Sequence, residues 1–414
     1  MQKRILYINQ YFKHPGEPGS TRSYWVARQL IAAGYQVTMI AQRNLAHGNI
    51  KEAPWFEEQM IEGIRVLYLR NRYANSMGLS RRLWSFFIFM VRATWRALRE
   101  KSVDLVIATS TPPTVAVPAL VRKWLRGTPF LFEVRDLWPE VPIQMGVVRH
   151  PVVVRTLRWF ERTTYRNAAH VIALSPGMRE GVAQYIPLER TSMIPNMAKV
   201  DQFWPRERNY EMIRAMGLVP EHFRVIYFGQ MGVSNAIPLI IDAATVLQNL
   251  DPEIDFIFVG HGMMKRWVEK RVQTEKLRNI IVFDRVAMRE MSEIVNFCDI
   301  SLVTFSNIPI LRTNSPNKLF DSLSAGKPVI VNSAGWTKDL VEAHSCGLFI
   351  PPDRPGELAQ LILKLKRDPV LVERMGMHAR RLAEKRYDKT ILCSQFLDVV
   401  DGLFQRHKRD GEFA

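Results

Sequence analysis

Short apolar runs alternate with helical stretches along the whole of this chain, and that alternation decides its fold class. Runs at 4–8, 35–40, 64–69, 103–108, 129–134, 170–174 and 191–196 have the length and the β-branched or aromatic content of buried strands. A second series, at 223–228, 255–259, 279–283, 299–304, 329–331 and 347–350, repeats the pattern. Stretches of helical period lie between them. Parallel strands need such crossovers, so each series predicts a doubly wound sheet with helices on both faces. The expected architecture is α/β with two Rossmann-like parallel-sheet domains. Residues 1–200 form the first and 201–385 the second, with a polar linker at 197–208. Residues 386–414 are expected to form a helix that packs back toward the first domain.

Composition narrows the setting. The three cysteines, Cys298, Cys346 and Cys393, form no CxxC pair, which argues against a disulfide framework or a cysteine zinc site and suits a reducing cytoplasm. The first residues read as a strand rather than a signal peptide, and no apolar run reaches bilayer-spanning length. The net charge of +17 is unevenly spread. Residues 1–205 hold 28 Lys and Arg against 14 Asp and Glu, and residues 206–414 hold 29 against 26. A half-chain with an excess of +14 suits an extended anionic partner, either nucleic acid or an anionic membrane face. No nucleic-acid reading motif accompanies the charge, so nucleic acid is not expected as a partner.

The run 314–332 reads as a nucleotide holder. Asn314 or Ser315 is expected to cap a helix with Pro316 at its first position, and Gly326 and Pro328 end it. A helix start exposes unpaired N–H groups that suit a diphosphate. Lys318 and Asp321 share a helix face, where a lysine could meet phosphate and a carboxylate the ribose hydroxyls. An ordinary αβ unit with a surface ion pair explains the same spacing.

Other candidates lie at strand ends. The Gly/Pro loop after the first strand contains Gly19 and Arg22, and it is not a GxGxxG fingerprint. Arg135 and Asp136 follow the strand at 129–134, where charged residues face a ligand cleft or merely form a turn. Gly229 and Gly232 turn the chain after the strand at 223–228. The stretch 80–99 carries Arg81, Arg82, Arg92, Arg96 and Arg99 around an apolar centre, with Trp84 and Trp95 near its ends. Such a helix lies in a membrane surface or packs on the sheet with its arginines in water. Arg155, Arg158, Arg162 and Arg166 form a basic stripe on the helix after 152.

An ordered set of segments carries a family resemblance. They are Pro18-Gly-Ser-Thr-Arg22, Gly34-Tyr-Gln-Val-Thr38, Arg135-Asp-Leu-Trp-Pro139, Ala173-Leu-Ser-Pro-Gly-Met178, Ile194-Pro-Asn196, Tyr227-Phe-Gly229, Val259-Gly-His-Gly262, and Pro316-Asn-Lys-Leu-Phe-Asp321 with Ala325-Gly-Lys-Pro328. Together the chain resembles the retaining family 4 glycosyltransferases of GT-B fold, in which two such domains face each other across a cleft. Within them it looks most like bacterial O-antigen and capsule transferases of the fucosaminyltransferase-like (WbuB-like) group.

The resemblance implies a nucleotide-sugar donor held mainly by the second domain. Asp321 falls where the family has the second glutamate of its E-x7-E motif, which binds the ribose. Thr313 stands where the first glutamate would be, and Val233 where many relatives have Lys or Arg for the diphosphate. Lys318 and Arg22 are then the candidates to supply that charge. Val286 falls where backbone groups hold the base, and Gly19 in the loop that faces the donor phosphates. Asn314, Ser315, Asn317 and Leu319 complete the donor segment. No metal and no cofactor are expected, since the family neutralises the leaving diphosphate with a helix dipole and basic side chains.

The expected activity is therefore retaining transfer of a hexose, N-acetylhexosamine or deoxy-sugar from a UDP-sugar to a lipid-diphosphate-linked glycan. Asp136, Asp321 and Lys318 are its expected catalytic residues. Arg81, Arg82, Trp84, Arg92, Trp95, Arg96 and Arg135 are expected to meet acceptor or membrane. The expected location is peripheral, on the inner face of the cytoplasmic membrane. Alternatives are a weak or inactive member serving as an assembly partner, and a nucleotide-sugar epimerase.

Overall fold

The computed structural model describes residues 2–17, 19–44, 55–72 and 77–412. Pro18, which opens the first of the resembling segments, lies outside them. The chain divides into two compact units. The first holds the described residues of 1–14, 19–195 and 390–414, and the second those of 15–18 and 196–389.

The first unit is built on β1 (Arg4–Ile8), β2 (Gln36–Asn44), β3 (Phe56–Ile61), β4 (Ile64–Asn71), β5 (Leu105–Thr109), β6 (Phe130–Val134), β7 (His170–Ala173) and β8 (Thr191–Met193). They lie in the order β3-β4-β2-β1-β5-β6-β7-β8. All pairs are parallel except β3 with β4. The helices are α1 (Arg22–Ala32), α2 (Leu79–Arg99), α3 (Ala116–Arg126), α4 (Glu140–Gln144), α5 (Pro151–Asn167) and α6 (Pro176–Ala183). The strand order reverses between β1 and β5. Right-handed crossovers therefore put α2, α3 and α5 on one face of the sheet and α1 on the other.

The second unit has the strands β9 (Phe223–Gln230), β10 (Ile254–His261), β11 (Ile280–Phe283), β12 (Ile300–Val303), β13 (Val329–Val331) and β14 (Gly347–Phe349). Their order is β11-β10-β9-β12-β13-β14, all parallel. Its helices are α7 (Tyr210–Ala215), α8 (Ile237–Leu250), α9 (Lys265–Thr274), α10 (Met288–Phe297), α11 (Asn317–Ser324), α12 (Trp336–Ala343), α13 (Pro355–Arg367) and α14 (Pro369–Leu382). Both faces of this sheet are buried, so its strands are apolar on both sides. On β9, Val225 and Tyr227 join the core formed with α8 and α13, while Ile226 and Phe228 join the core formed with α10. The last helix, α15 (Lys389–Glu412), returns the chain to the first unit, where Tyr35 bonds to Asp401 and stacks on Phe404 with ring centroids 5.4 Å apart.

Two local expectations are corrected. The helix in the 314–332 run begins at Asn317, with Pro316 itself at the cap position and no side-chain cap. Ser315 instead accepts from the Asn196 backbone N–H at 3.3 Å and, through its carbonyl, from Asn196 Nδ2 at 2.5 Å. The second correction concerns α2. Its inner row is Ser85, Phe89, Ala93 and Ala97, spaced every four residues and buried against the sheet layer. Arg92 and Arg96 do not face outward. Arg92 bonds to the Arg70 carbonyl and lies 5.5 Å from the Trp55 ring, and Arg96 pairs with Glu100 at 2.6 Å and covers Phe56 at 4.8 Å. The outer row of α2 is apolar: Leu83, Trp84, Phe87, Val91 and Trp95 are all exposed.

Candidate active site

In the second unit the strand order reverses between β9 and β12. Doubly wound sheets bind ligands outside the carboxyl ends of the strands at that switch point. Near the end of β9 stands Gly229, whose φ of +110° favours glycine. A side chain at Gly229 would put its Cβ 3.5 Å from Lys318 Cε and 3.7 Å from Nζ. The chain leaves β12, makes a short turn over Pro309–Thr313, and starts α11 beside that glycine.

Lys318, in the first turn of α11, brings its Nζ 3.8 Å from the centroid of the Tyr227 ring. That nitrogen is buried and has no hydrogen-bond partner among the described residues. Burial pushes its pKa down to about 7, because a desolvated ammonium without a counter-ion is unfavourable. Asn314 Oδ1, in the approach to the same helix, is likewise buried and unpartnered. Orphaned polar atoms of this kind call for an explanation, and a ligand is one.

The surface ion pair considered for Lys318 and Asp321 does not form. Asp321 pairs instead with Lys199, Oδ1 to Nζ at 2.9 Å, with both side chains buried. Burial raises the Asp321 pKa, and Lys199 works against that rise. Leu319 is turned fully into the core, so its side chain cannot reach a donor. Asn317 is half-buried at the helix start. Thr313 bonds back to the Ile310 carbonyl at 2.8 Å. The Gly232 N–H is accepted by Asn235 Oδ1 at 3.2 Å, and Val233 beside it is exposed. Val286 is half-buried in the loop after β11, at the same edge of the sheet.

The first unit gathers its own polar cluster at the ends of β1, β5 and β6. Arg22 is not available to a phosphate there. Its Nε donates to Glu133 at 2.7 Å, Nη2 to the Ile194 carbonyl at 3.0 Å, and Nη1 to the Pro195 carbonyl, inside the unit. That differs from its expected role, since a sequence cannot show which way a guanidinium turns. Asp136 accepts from Thr111 Oγ1 at 2.9 Å; burial raises its pKa, and the Thr111 bond and Arg135 oppose the rise. Arg135 donates to Ser20 Oγ at 3.0 Å. Gly19, exposed with φ +134°, precedes that serine. Among the described residues no cluster of His, Cys, Asp and Glu is placed to hold a metal, and no helix is long and apolar enough to cross a membrane.

Lys199 is the member of the second-unit site that the sequence did not single out, and Asn196 and Tyr227 stand in resembling segments without an assigned role. Lys199 falls in a stretch that reads as linker, and Tyr227 in a stretch that reads as plain buried strand.

Comparison with known proteins identifies the site's setting. Residues 19–197 match the glycosyl transferase 4-like domain, and residues 211–382 match the glycosyl transferases group 1 domain. The chain belongs to the family 4, group 1 glycosyltransferases. It is 25% identical over 250 residues to the alpha-D-kanosaminyltransferase of Streptomyces kanamyceticus, a match covering 58% of this chain and 62% of that enzyme. It is 22% identical over 326 residues to the putative colanic acid biosynthesis glycosyl transferase WcaI of Escherichia coli K12, covering 77% of each. Its fold matches Anabaena HepE in complex with UDP and glucose, with a TM-score of 0.72, 19% identity, and coverage of 96% of this chain and 99% of that one. This transferase thus has the GT-B architecture of two Rossmann-like domains.

Proposed function

We propose that this transferase moves a sugar from a UDP-sugar, with retention of configuration, to a lipid-diphosphate-linked glycan during cell-surface polysaccharide assembly. The buried, unpartnered Lys318 ammonium beside Gly229 at the β9/β12 switch point is the observation that carries the reading. A leaving diphosphate would supply the counter-charge that Lys318 lacks. The start of α11 adds its unpaired N–H groups. Asp321 would accept the ribose hydroxyls, and the backbone near Val286 would hold the base. In the first unit Asp136 would orient the acceptor hydroxyl.

HepE was solved with UDP and glucose, and WcaI is named for colanic acid biosynthesis; both support the donor and pathway class. The exposed apolar row of α2 supports a lipid-borne acceptor, as do the exposed Trp124 and Leu125 of α3 and Trp159 of α5. Arg155, Arg162 and Arg166, exposed on α5, add positive charge to the same side of the sheet. Such a surface fits peripheral binding at the cytoplasmic membrane, within the fucosaminyltransferase-like group.

The test is transfer of label from UDP-sugars into the lipid extract of membranes, wild type beside Lys318→Met. Label should reach the lipid fraction with the wild type and fall at least about a hundredfold with the variant, as when a transition-state donor is removed. Equal transfer by both would remove Lys318 from the reaction. A second reading, an inactive partner in glycan assembly, is favoured by Thr313 and Val233, which stand where the family carries a carboxylate and a basic residue. Under that reading the protein binds a membrane partner but shows no UDP affinity in calorimetry.

A further inference from the structure

The segment that leaves β8 is held just before Lys199 at two places, by Ser315 in the approach to α11 and by residues 387–389. Asn196 bonds twice to Ser315. Ala198 forms a parallel bridge with Asp388, its N–H donating to the Tyr387 carbonyl at 2.7 Å and its carbonyl accepting from Lys389 at 2.9 Å. Lys199 reaches Asp321, and the other contacts of its ammonium are soft ones: Met288 Sδ at 3.9 Å and the Phe203 ring at 5.4 Å.

A buried ion pair is poor value as a stability device, because two apolar side chains of like size hold a fold as well or better. This one lies one helical turn from Lys318, on the helix that starts at the donor site. We propose that Lys199 is a positioning residue for the donor: it keeps the Asp321 carboxylate charged and oriented so that its second oxygen can accept the ribose hydroxyls. The inference rests on the donor reading given above.

Charge is the reason Asp321 needs such a partner. A carboxylic acid accepts hydroxyl hydrogen bonds more weakly than a carboxylate and must place its own proton. Burial drives Asp321 toward the neutral acid, and Lys199 opposes it both as a charge and as a donor. The other ionisable groups on the elements packed here are committed elsewhere. Lys318 lies over Tyr227, and Arg380 of α14 bonds to the carbonyls of Val200, Phe203 and Ser324 and to Glu384. Tyr387 packs edge-on against Phe320 and Asp388 lies in the bridge to Ala198. None of them is a source of charge on Asp321 comparable to Lys199.

The experiment is UDP calorimetry on the full chain across a pH series, with Lys199→Met, Lys199→Arg and Asp321→Asn beside the wild type and thermal melts of each. Comparing variant with wild type at each pH cancels the titration of UDP and of Lys318. Lys199→Met should bind roughly ten- to a hundredfold more weakly at acidic pH, the range for losing hydrogen bonds to a charged group. The gap should narrow as rising pH ionises Asp321 unaided. Lys199→Arg should restore binding, and Asp321→Asn should be weak without that narrowing. A folded Lys199→Met protein with wild-type affinity and pH profile overturns the inference alone, as does tighter binding, which would make Lys199 a plug. Wild type that binds no UDP overturns the donor reading and this inference with it.

Discussion

Lys318 is the single side chain at which the proposed donor reading has a measurable consequence. A lysine whose folded pKa is about 7 binds fewer protons above that pH than the same lysine in the unfolded chain. Its contribution to stability therefore rises with pH between about 7 and the ordinary lysine value, and is flat below, where both states are protonated. A diphosphate at Nζ favours the ammonium and pulls that pKa back up. Binding of UDP near pH 8 should then take up protons. Calorimetry in buffers of different ionisation enthalpy should show an observed enthalpy that varies with the buffer for the wild type. For Lys318→Met the variation should shrink to the share owed to other groups. No difference between the two would mean that the phosphate does not meet this nitrogen. The sequence offered Lys318 and Asp321 as a pair by spacing alone. It could not show that the two turn apart, one onto the Tyr227 ring and the other onto Lys199, because both partners come from elements distant in the chain.

At the level of elements, the sequence marked most strands because a parallel strand buried on both faces is apolar throughout. The exception is β3, Phe-Glu-Glu-Gln-Met-Ile, an antiparallel edge strand whose polar residues hide it from a search for apolar runs. The sequence puts the start of α11 close to its true position but not its capping, since Asn196 claims Ser315 from far away in the chain. For α2 the period gave the helix but not its outer face. Arginine and tryptophan alternate along it, and only packing decides which row turns inward. With Arg92 and Arg96 drawn onto β3 and β4, what remains outside is a ridge on which Trp84 and Phe87 stack with ring centroids 5.4 Å apart. Burying an aromatic side chain in an apolar medium is worth about 1.5–3 kcal/mol. The double change Trp84→Ser and Phe87→Ser should thus weaken binding to anionic vesicles by about tenfold or more, read by co-sedimentation. UDP affinity should be unchanged, because Lys318 and Asp321, the proposed donor residues, lie in the second unit. Undiminished vesicle binding would assign the ridge to a protein partner instead.

Across the whole molecule the two halves differ most in charge, and that difference separates their partners experimentally. Residues 1–205 carry 14 more basic than acidic residues, and residues 206–414 only three more. The basic excess of the first half includes exposed arginines on α5, whose fields reach a surface through water and are open to screening. Lys318 in the second half is withdrawn from water, where screening is much weaker. Raising salt from about 0.1 M to about 1 M shortens the Debye length from about 10 Å to about 3 Å. Vesicle affinity should therefore collapse over that range, at about 1 kcal/mol for each basic residue near an anionic surface. UDP affinity, measured in the same buffers, should change far less. If vesicle binding instead survived high salt, the apolar ridge of α2 would carry it without the arginines. If UDP binding collapsed together with vesicle binding, the diphosphate would be held by exposed charges rather than by the buried lysine beside Gly229.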